Sequence, residues 1–306
     1  MPKNQNKQVI RLVGSSPFSD EVSAFLIDRQ ARGLSVNTVE FYRKELHWFA
    51  DWLGSVDILD VSATDLRRYL VHISESRNPG GVHCAYRSLR AFFNWYEQEE
   101  ISDEYVNPAR KVKAPKVPDD QLIPVALPDL RAMLATCGKN FNGTRDRCAL
   151  LALLDTGCRA SEFVSLNVGD VNLGTGAVMV REGKGGKFRT VFLGAKCRRE
   201  LVRYLRYRKG KASDALWVTS TGRRLTYAGL RQIVVRAAER AGVACPSLHS
   251  FRRAFALACL RSGMDLISLQ RLMGHSDLTV LRRYLNQTSD DLAAAHARCG
   301  PVDCLL

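Results

Sequence analysis

The chain has 306 residues, long for a single hydrophobic core and suited to two domains. Apolar residues at 46% and charged residues at 25% are ordinary globular values and exclude a disordered, collagen-like or membrane-embedded chain. The 45 Lys and Arg against 31 Asp and Glu leave a net charge of +14, which favours a polyanionic partner, a solubilising surface being the plainer explanation.

That charge is uneven. Residues 1–116 hold 16 basic and 15 acidic side chains and residues 117–306 hold 29 and 16, so the second part carries +13 of the +14. Nine cysteines, odd in number and scattered without a C-x-x-C pair, point to reduced thiols in the cytoplasm, against a disulfide framework and against a zinc site. No apolar run approaches the roughly 18 residues of a membrane span, and Met1 to Ser16 is too polar for a secretory signal, so no membrane partner is expected.

In chain order, residues 1–16 read as a flexible tail. Residues 17–108 read as a four-helix domain, with apolar positions recurring every three or four residues over Asp20 to Arg32, Ser35 to Leu53, Ala63 to Ser76 and Gly81 to Glu99. Gly33, Gly54 and Asn78-Pro79-Gly80-Gly81 punctuate these helices, and Ser35 and Ser62 stand where N-caps belong. Residues 109–124, rich in proline and lysine, read as an extended interdomain linker that packs no core. In residues 125–306, helices are expected at Leu127 to Thr136, Arg145 to Thr156, Ser161 to Leu166, Lys196 to Tyr207, Thr226 to Ala241, Leu248 to Arg261, Leu266 to Met273 and Leu278 to Leu285. Between them, Ala177 to Glu182 and Phe188 to Leu193 flank Gly183-Lys184-Gly185-Gly186-Lys187 and predict a β-hairpin with a glycine turn. The fold class is mainly α with one small antiparallel sheet.

Each polar residue of interest has an ordinary explanation when taken alone. Arg159, at a helix start where the macrodipole disfavours a cation, finds a sufficient partner in Glu162. Lys184 and Lys187 are loop lysines, and no G-x-x-x-x-G-K-[ST] signature makes their turn a nucleotide-binding loop. His249 and Arg252 share a helix face while Phe251, Phe255 and Ala258 are expected to point to the core. His275 follows Gly274 in a break between helices, and Tyr284 would serve as a half-buried structural tyrosine.

Together these residues form an inventory for phosphoryl transfer. Charge builds on the nonbridging oxygens of an attacked phosphodiester, and planar guanidinium groups such as Arg159 and Arg252 grip those oxygens bidentately. A neutral tyrosine, pKa about 10, must lose its proton as it attacks, which asks for a base such as His249. A lysine on a hairpin, Lys184, can protonate the leaving 5′ oxygen. No carboxylate cluster suited to magnesium stands out, so neither a metal nor another cofactor is expected.

The ordered motifs Thr-Gly-Cys-Arg-Ala-Ser-Glu, Gly-Lys-Gly-Gly-Lys, Leu-His-Ser-Phe-Arg-Arg, Leu-Met-Gly-His-Ser-Asp and Arg-Arg-Tyr resemble the tyrosine recombinase family, particularly the Xer-like recombinases and phage-type integrases. The resemblance covers nearly the whole chain. It implies a helical, SAM-like core-binding domain and a mixed α/β catalytic domain forming a C-shaped clamp on DNA. It also implies Arg159 and Arg252 as phosphate clamps, Lys184 as general acid, His249 assisting proton transfer, His275 bonding the phosphate, and Tyr284 forming a 3′-phosphotyrosine without metal or ATP. Glu162 matches a position that supports the first arginine. The implied partner is double-stranded DNA carrying paired half-sites, bound by a homo-oligomer, a dimer on one site and a tetramer in the synapse. The need for a second recombinase or accessory protein stays open. A C-terminal stretch with Leu292, Ala293, Ala295 and Ala297 is expected to contact a neighbouring subunit. Arg43, Lys44, Arg67, Arg68, Arg87, Arg90, Lys113, Lys116 and Lys187 are candidate DNA contacts, solvated surface being the plainer account of each. Two rivals remain, a type IB topoisomerase-like strand-passing enzyme and a catalytically silent DNA-binding accessory protein. Chromosome dimer resolution, mobile-element integration or excision, and cointegrate resolution are equally open as tasks.

Overall fold

The computed structural model describes residues 19–99, 105–118, 123–181, 188–208 and 213–274, with positions 293, 296, 297 and 302 beyond them. Two compact units divide near residue 120.

The first unit contains α1 (Ser19–Ala31), α2 (Val36–Leu53), α3 (Ala63–Ser74) and α4 (Pro79–Glu99). Ser35 caps α2 by accepting a bond from the Thr38 amide at 3.2 Å, and Ser62 forms a reciprocal capping box with Asp65 at the start of α3. The core is aromatic: Phe25, Phe49, Phe92 and Phe93 are fully buried, and Phe25 meets Phe92 edge-on with centroids 5.5 Å apart. Among the described residues, the charge of Glu45 is buried with it, paired to Arg77 at 2.7 Å.

One sequence expectation about this unit is corrected. The proline- and lysine-rich composition of residues 109–124 predicts no core packing, yet Ala109 and Val112 are buried in the first unit. Asn107 caps a 3-10 turn, Pro108–Lys111, by accepting from the Ala109 amide, and that turn presents Ala109 and Val112 to α3 and α4. Tyr86 then donates its hydroxyl to the Val112 carbonyl at 3.1 Å, and Arg67 donates to the Lys111 carbonyl at 2.8 Å. The candidate DNA contacts Arg43, Lys44, Arg67, Arg68, Arg87, Arg90, Lys113 and Lys116 are exposed; Lys187 lies outside the described residues.

The second unit holds α5 (Leu127–Ala135), α6 (Phe141–Thr156), α7 (Ala160–Ser165), β1 (Ala177–Val180), β2 (Arg189–Phe192), α8 (Ala195–Arg208), α9 (Tyr227–Ala241), α10 (Leu248–Arg261) and α11 (Leu266–Met273). The strands pair antiparallel, Ala177 opposite Phe192 and Val180 opposite Arg189. The central helix is α6, which buries Cys148, Ala149, Leu150 and Leu153 and packs on both α8 and α10. It begins four residues before the expected Arg145, capped by Asn140, whose side chain accepts from the Gly143 amide at 2.8 Å. Gly143 is required there because a Cβ would lie 2.2 Å from the Gly138 carbonyl oxygen. Buried Arg145 and Asp146 satisfy one another at 2.7 Å, and Arg145 also donates to the Val218 carbonyl.

On α10, Phe251 is fully buried and Phe255 half-buried, but Ala258 is exposed, contrary to expectation. It lines an apolar cleft of about 950 Å³ with Leu151, Leu154, Phe255 and Cys259, and among the described residues no element covers it there. The expected helix Leu278 to Leu285 and Leu292 and Ala295 lie outside the described residues; Ala293 and Ala297 are helical and exposed. Among the described residues, no helix is long and apolar enough to cross a membrane.

Candidate active site

The site begins with a helix ending. Thr156 closes α6, and Gly157 takes a left-handed conformation, φ 58°, in contact with the Phe255 ring, where a Cβ would come within 2.3 Å. Only glycine turns the chain so tightly against that ring. Two residues on, Arg159 is the N-cap of α7, and its backbone N–H donates to the carboxylate of Glu162 at 2.8 Å. The capping carboxylate thus comes from one turn inside the helix, and this fixes where the Arg159 side chain starts.

Glu162 is only 3% exposed and accepts from two guanidinium groups. Arg159 donates to its Oε1 at 2.8 Å. Arg189, the first residue of β2, spans both oxygens, at 2.9 Å to Oε1 and 2.6 Å to Oε2. Burial alone would push the Glu162 carboxyl upward, but the bonds from Arg189 and from the Arg159 amide hold it below the ordinary carboxylate range. Burial would likewise lower Arg189, and the Glu162 carboxylate instead raises it. Both groups are therefore charged at neutral pH.

Arg252 enters from α10, whose N-cap Ser247 accepts from the Ser250 amide at 3.1 Å. Its side chain is the most deeply buried cation of the site, 1% exposed. It donates at 2.6 Å to the carbonyl of Gly157 and at 2.6 Å to that of Met273. The end of α11 receives three arginines on successive carbonyls: Arg189 on Leu272 at 2.9 Å, Arg252 on Met273, and Arg159 on Gly274 at 3.3 Å. Last-turn carbonyls lack intrahelical partners and carry the negative end of the helix dipole, which suits three cations.

His249 stands one turn before Arg252, exposed as a residue but with its ring partly desolvated. Burial first, then the charges of Arg253, Arg252 and Arg159, depress its pKa below the ordinary imidazole value. It is neutral at pH 7 and able to accept a proton. Cys158, buried between the arginines, is pushed up by desolvation and stays a neutral thiol.

The structure thus brings together Arg159, Glu162, His249 and Arg252 of the residues singled out in the sequence. Lys184, His275 and Tyr284 lie outside the described residues. Arg189 was missed. The signal for it was present: in β2 it stands two residues from buried Val191, so it shares the inward face, and an inward arginine needs a paired partner there.

Two units, the second closed around a cluster of arginines at one helix end, define a class. The chain belongs to the phage integrase family, whose model matches residues 127–290, and the N-terminal SAM-like domain of phage integrases matches residues 23–100. It is a tyrosine recombinase. Among its relatives are the tyrosine recombinase XerD of Ralstonia nicotianae, 32% identical over 278 residues that cover 88% of this chain and 90% of that protein, and XerC of Pelobacter propionicus, 30% identical over 296 residues covering 93% and 96%. In fold it is similar to the Tn1549 transposon integrase in complex with a circular intermediate DNA, TM-score 0.75 at 19% identity, covering 91% of this chain and 99% of that one. It is also similar to XerH bound to a palindromic difH substrate, TM-score 0.72 at 22% identity, covering 88% and 82%.

Proposed function

We propose that this recombinase cleaves duplex DNA by attack of the Tyr284 hydroxyl on a phosphodiester clamped by Arg159 and Arg252, forming a 3′-phosphotyrosine bond and releasing a 5′ hydroxyl. The observation that carries this reading is the convergence of Arg159 and Arg252, from different helices, on one helix end that immediately precedes His275. Neutral His249 takes up the tyrosine proton, Lys184 gives one to the leaving oxygen, and His275 bonds the phosphate. The religation step runs the same transfers backward, so the energy of the phosphodiester is kept in the phosphotyrosine and no ATP or metal enters.

The partner in this reading is duplex DNA with paired half-sites, bound by two copies on one site and four in the synapse. The first unit is the core-binding domain, the second the catalytic one, and the basic excess of the second supports its hold on phosphates. Scattered thiols, all free among the described cysteines, support work in the reducing cytoplasm.

The test begins with covalent trapping from a pool of nicked duplexes of randomised sequence, which yields a suicide half-site. Wild-type protein is expected to give a denaturation-resistant adduct, and Arg159→Ala and Arg252→Ala to give little. Absence of any adduct from wild type would favour a silent DNA-binding protein. Recombination between two selected sites, without relaxation of plasmids lacking them, separates a recombinase from a topoisomerase-like enzyme.

A further inference from the structure

The chemistry proposed above needs the charge of Arg159 at the scissile phosphate, yet Arg159 sits 2.8 Å from a buried carboxylate. An isolated Glu162 would hold that guanidinium for itself, since a desolvated carboxylate pairs with whatever cation is within reach. The geometry supplies a second cation. Arg189 lies parallel to the carboxylate with two bonds, the fork arrangement in which guanidinium binds carboxylate most strongly, and it is itself nearly buried, 9% exposed. Arg159 by contrast makes a single side-chain bond to Glu162, is 29% exposed, and its other terminal nitrogen reaches the Gly274 carbonyl only at 3.3 Å.

We propose that Arg189 is a positioning residue for strand cleavage: it takes up the charge of Glu162 through a two-point bond and so leaves the guanidinium of Arg159 to the scissile phosphate. This rests on the reading of Arg159 as a phosphate clamp. Arg159, Arg189 and Arg252 with Glu162 leave two net positive charges beside the phosphate; without Arg189 one remains, and Glu162 competes for it. The same side chain, through Nε to the Leu272 carbonyl, also ties β2 to the end of α11. The hairpin that leads to Lys184 and the helix end that leads to His275 therefore share one anchor.

The variants are Arg189→Met, Arg189→Lys and the double variant Glu162→Gln/Arg189→Met, with Arg159→Ala as reference. The readout is the rate of covalent adduct formation on the selected suicide half-site, and on the same half-site with a neutral methylphosphonate at the scissile position. Arg189→Met is expected to slow cleavage of the phosphodiester roughly 30-fold or more, less than the roughly 100- to 1,000-fold for direct loss of one pre-organised contact because Arg189 acts through Arg159. Its loss on the methylphosphonate is expected to be several-fold smaller, because that substrate carries no charge for Arg159 to neutralise. The double variant is expected to recover much of the lost rate, since a neutral amide in place of the Glu162 carboxylate no longer sequesters Arg159. Arg189→Lys, which keeps the charge, is expected to fall between wild type and Arg189→Met.

Equal losses on both substrates, or a double variant slower than Arg189→Met, would overturn the proposal and leave Arg189 as a structural tether. If Arg189→Met fails to fold by circular dichroism, Arg189→Lys and the double variant carry the same comparison. If Arg159→Ala itself cleaves both substrates at the wild-type rate, the phosphate-clamp reading fails instead.

Discussion

Gly157→Ala tests whether the turn that sets up the site is sterically required. The φ of +58° costs an alanine about 1–2 kcal/mol. Its Cβ would stand 2.3 Å from Cδ1 of Phe255, well inside contact distance, and forced overpacking of this kind costs about 1–3 kcal/mol. Together these predict a loss of about 2–5 kcal/mol in the second unit, a fall in melting temperature of roughly 5–15 °C for a unit of this size. The assay is thermal unfolding of the full chain followed by calorimetry, alone and in a Phe255→Ala background. Removing the ring leaves only the conformational cost, so Gly157→Ala should lose about 1–2 kcal/mol there, a coupling that a double-mutant cycle reads directly. A cost below about 0.5 kcal/mol in the wild-type background would refute the strain argument, and equal costs in both backgrounds would refute the clash with Phe255.

With His249 as the proposed base, its depressed pKa predicts an acid limb of the cleavage rate below the ordinary histidine value, about 6.5. Removing a neighbouring charge by Arg253→Gln should move that limb to higher pH, and an unmoved profile would take His249 out of the proton transfer. The same depression costs stability only in acid: above the unfolded value both states are neutral, and as pH falls through it the unfolded chain gains a proton that folded His249 resists. Denaturant midpoints at pH 5 and 8 should therefore converge in His249→Ala relative to wild type. Lys184→Ala should slow cleavage far less when the 5′ leaving group is sulfur, which needs no proton; equal loss on oxygen and sulfur would remove Lys184 as general acid. Incubation with EDTA should leave adduct formation unchanged, and inhibition would contradict a metal-free reaction.

Much of this architecture was legible because local signals agreed with tertiary packing. The helix Leu248–Arg261 falls at its expected bounds, since a serine cap and a three-to-four spacing of apolar residues both mark it. Where polar groups are buried, the pattern misleads. The expected helix begins at Arg145, but Arg145 is buried in an ion pair with Asp146, and the cap at Asn140 starts α6 a turn earlier. Ala109 and Val112 sit among prolines and lysines, where two apolar side chains three residues apart are too few to register as a core-facing turn. Ala258 has the right spacing for the core, but spacing reports a helix face and not whether another element covers it.

The site follows the same division. Arg159, His249 and Arg252 stand in ordered motifs, and their chemistry announces a phosphate. Arg189 stands in a strand of four residues, where period-two alternation is short, and its meaning comes only from Glu162, 27 positions earlier in the chain. Three consecutive carbonyls at the end of α11 each accept from an arginine of the site, and backbone acceptors leave no mark in composition or spacing.

Tyr284 is proposed to carry the DNA. Wild-type protein trapped on the selected suicide half-site, digested with trypsin and nuclease and measured by mass spectrometry, should show the nucleotide phosphate on the peptide beginning at Tyr284, and Tyr284→Phe should give no adduct. An adduct that persists in Tyr284→Phe, or that maps to another residue, would contradict the account.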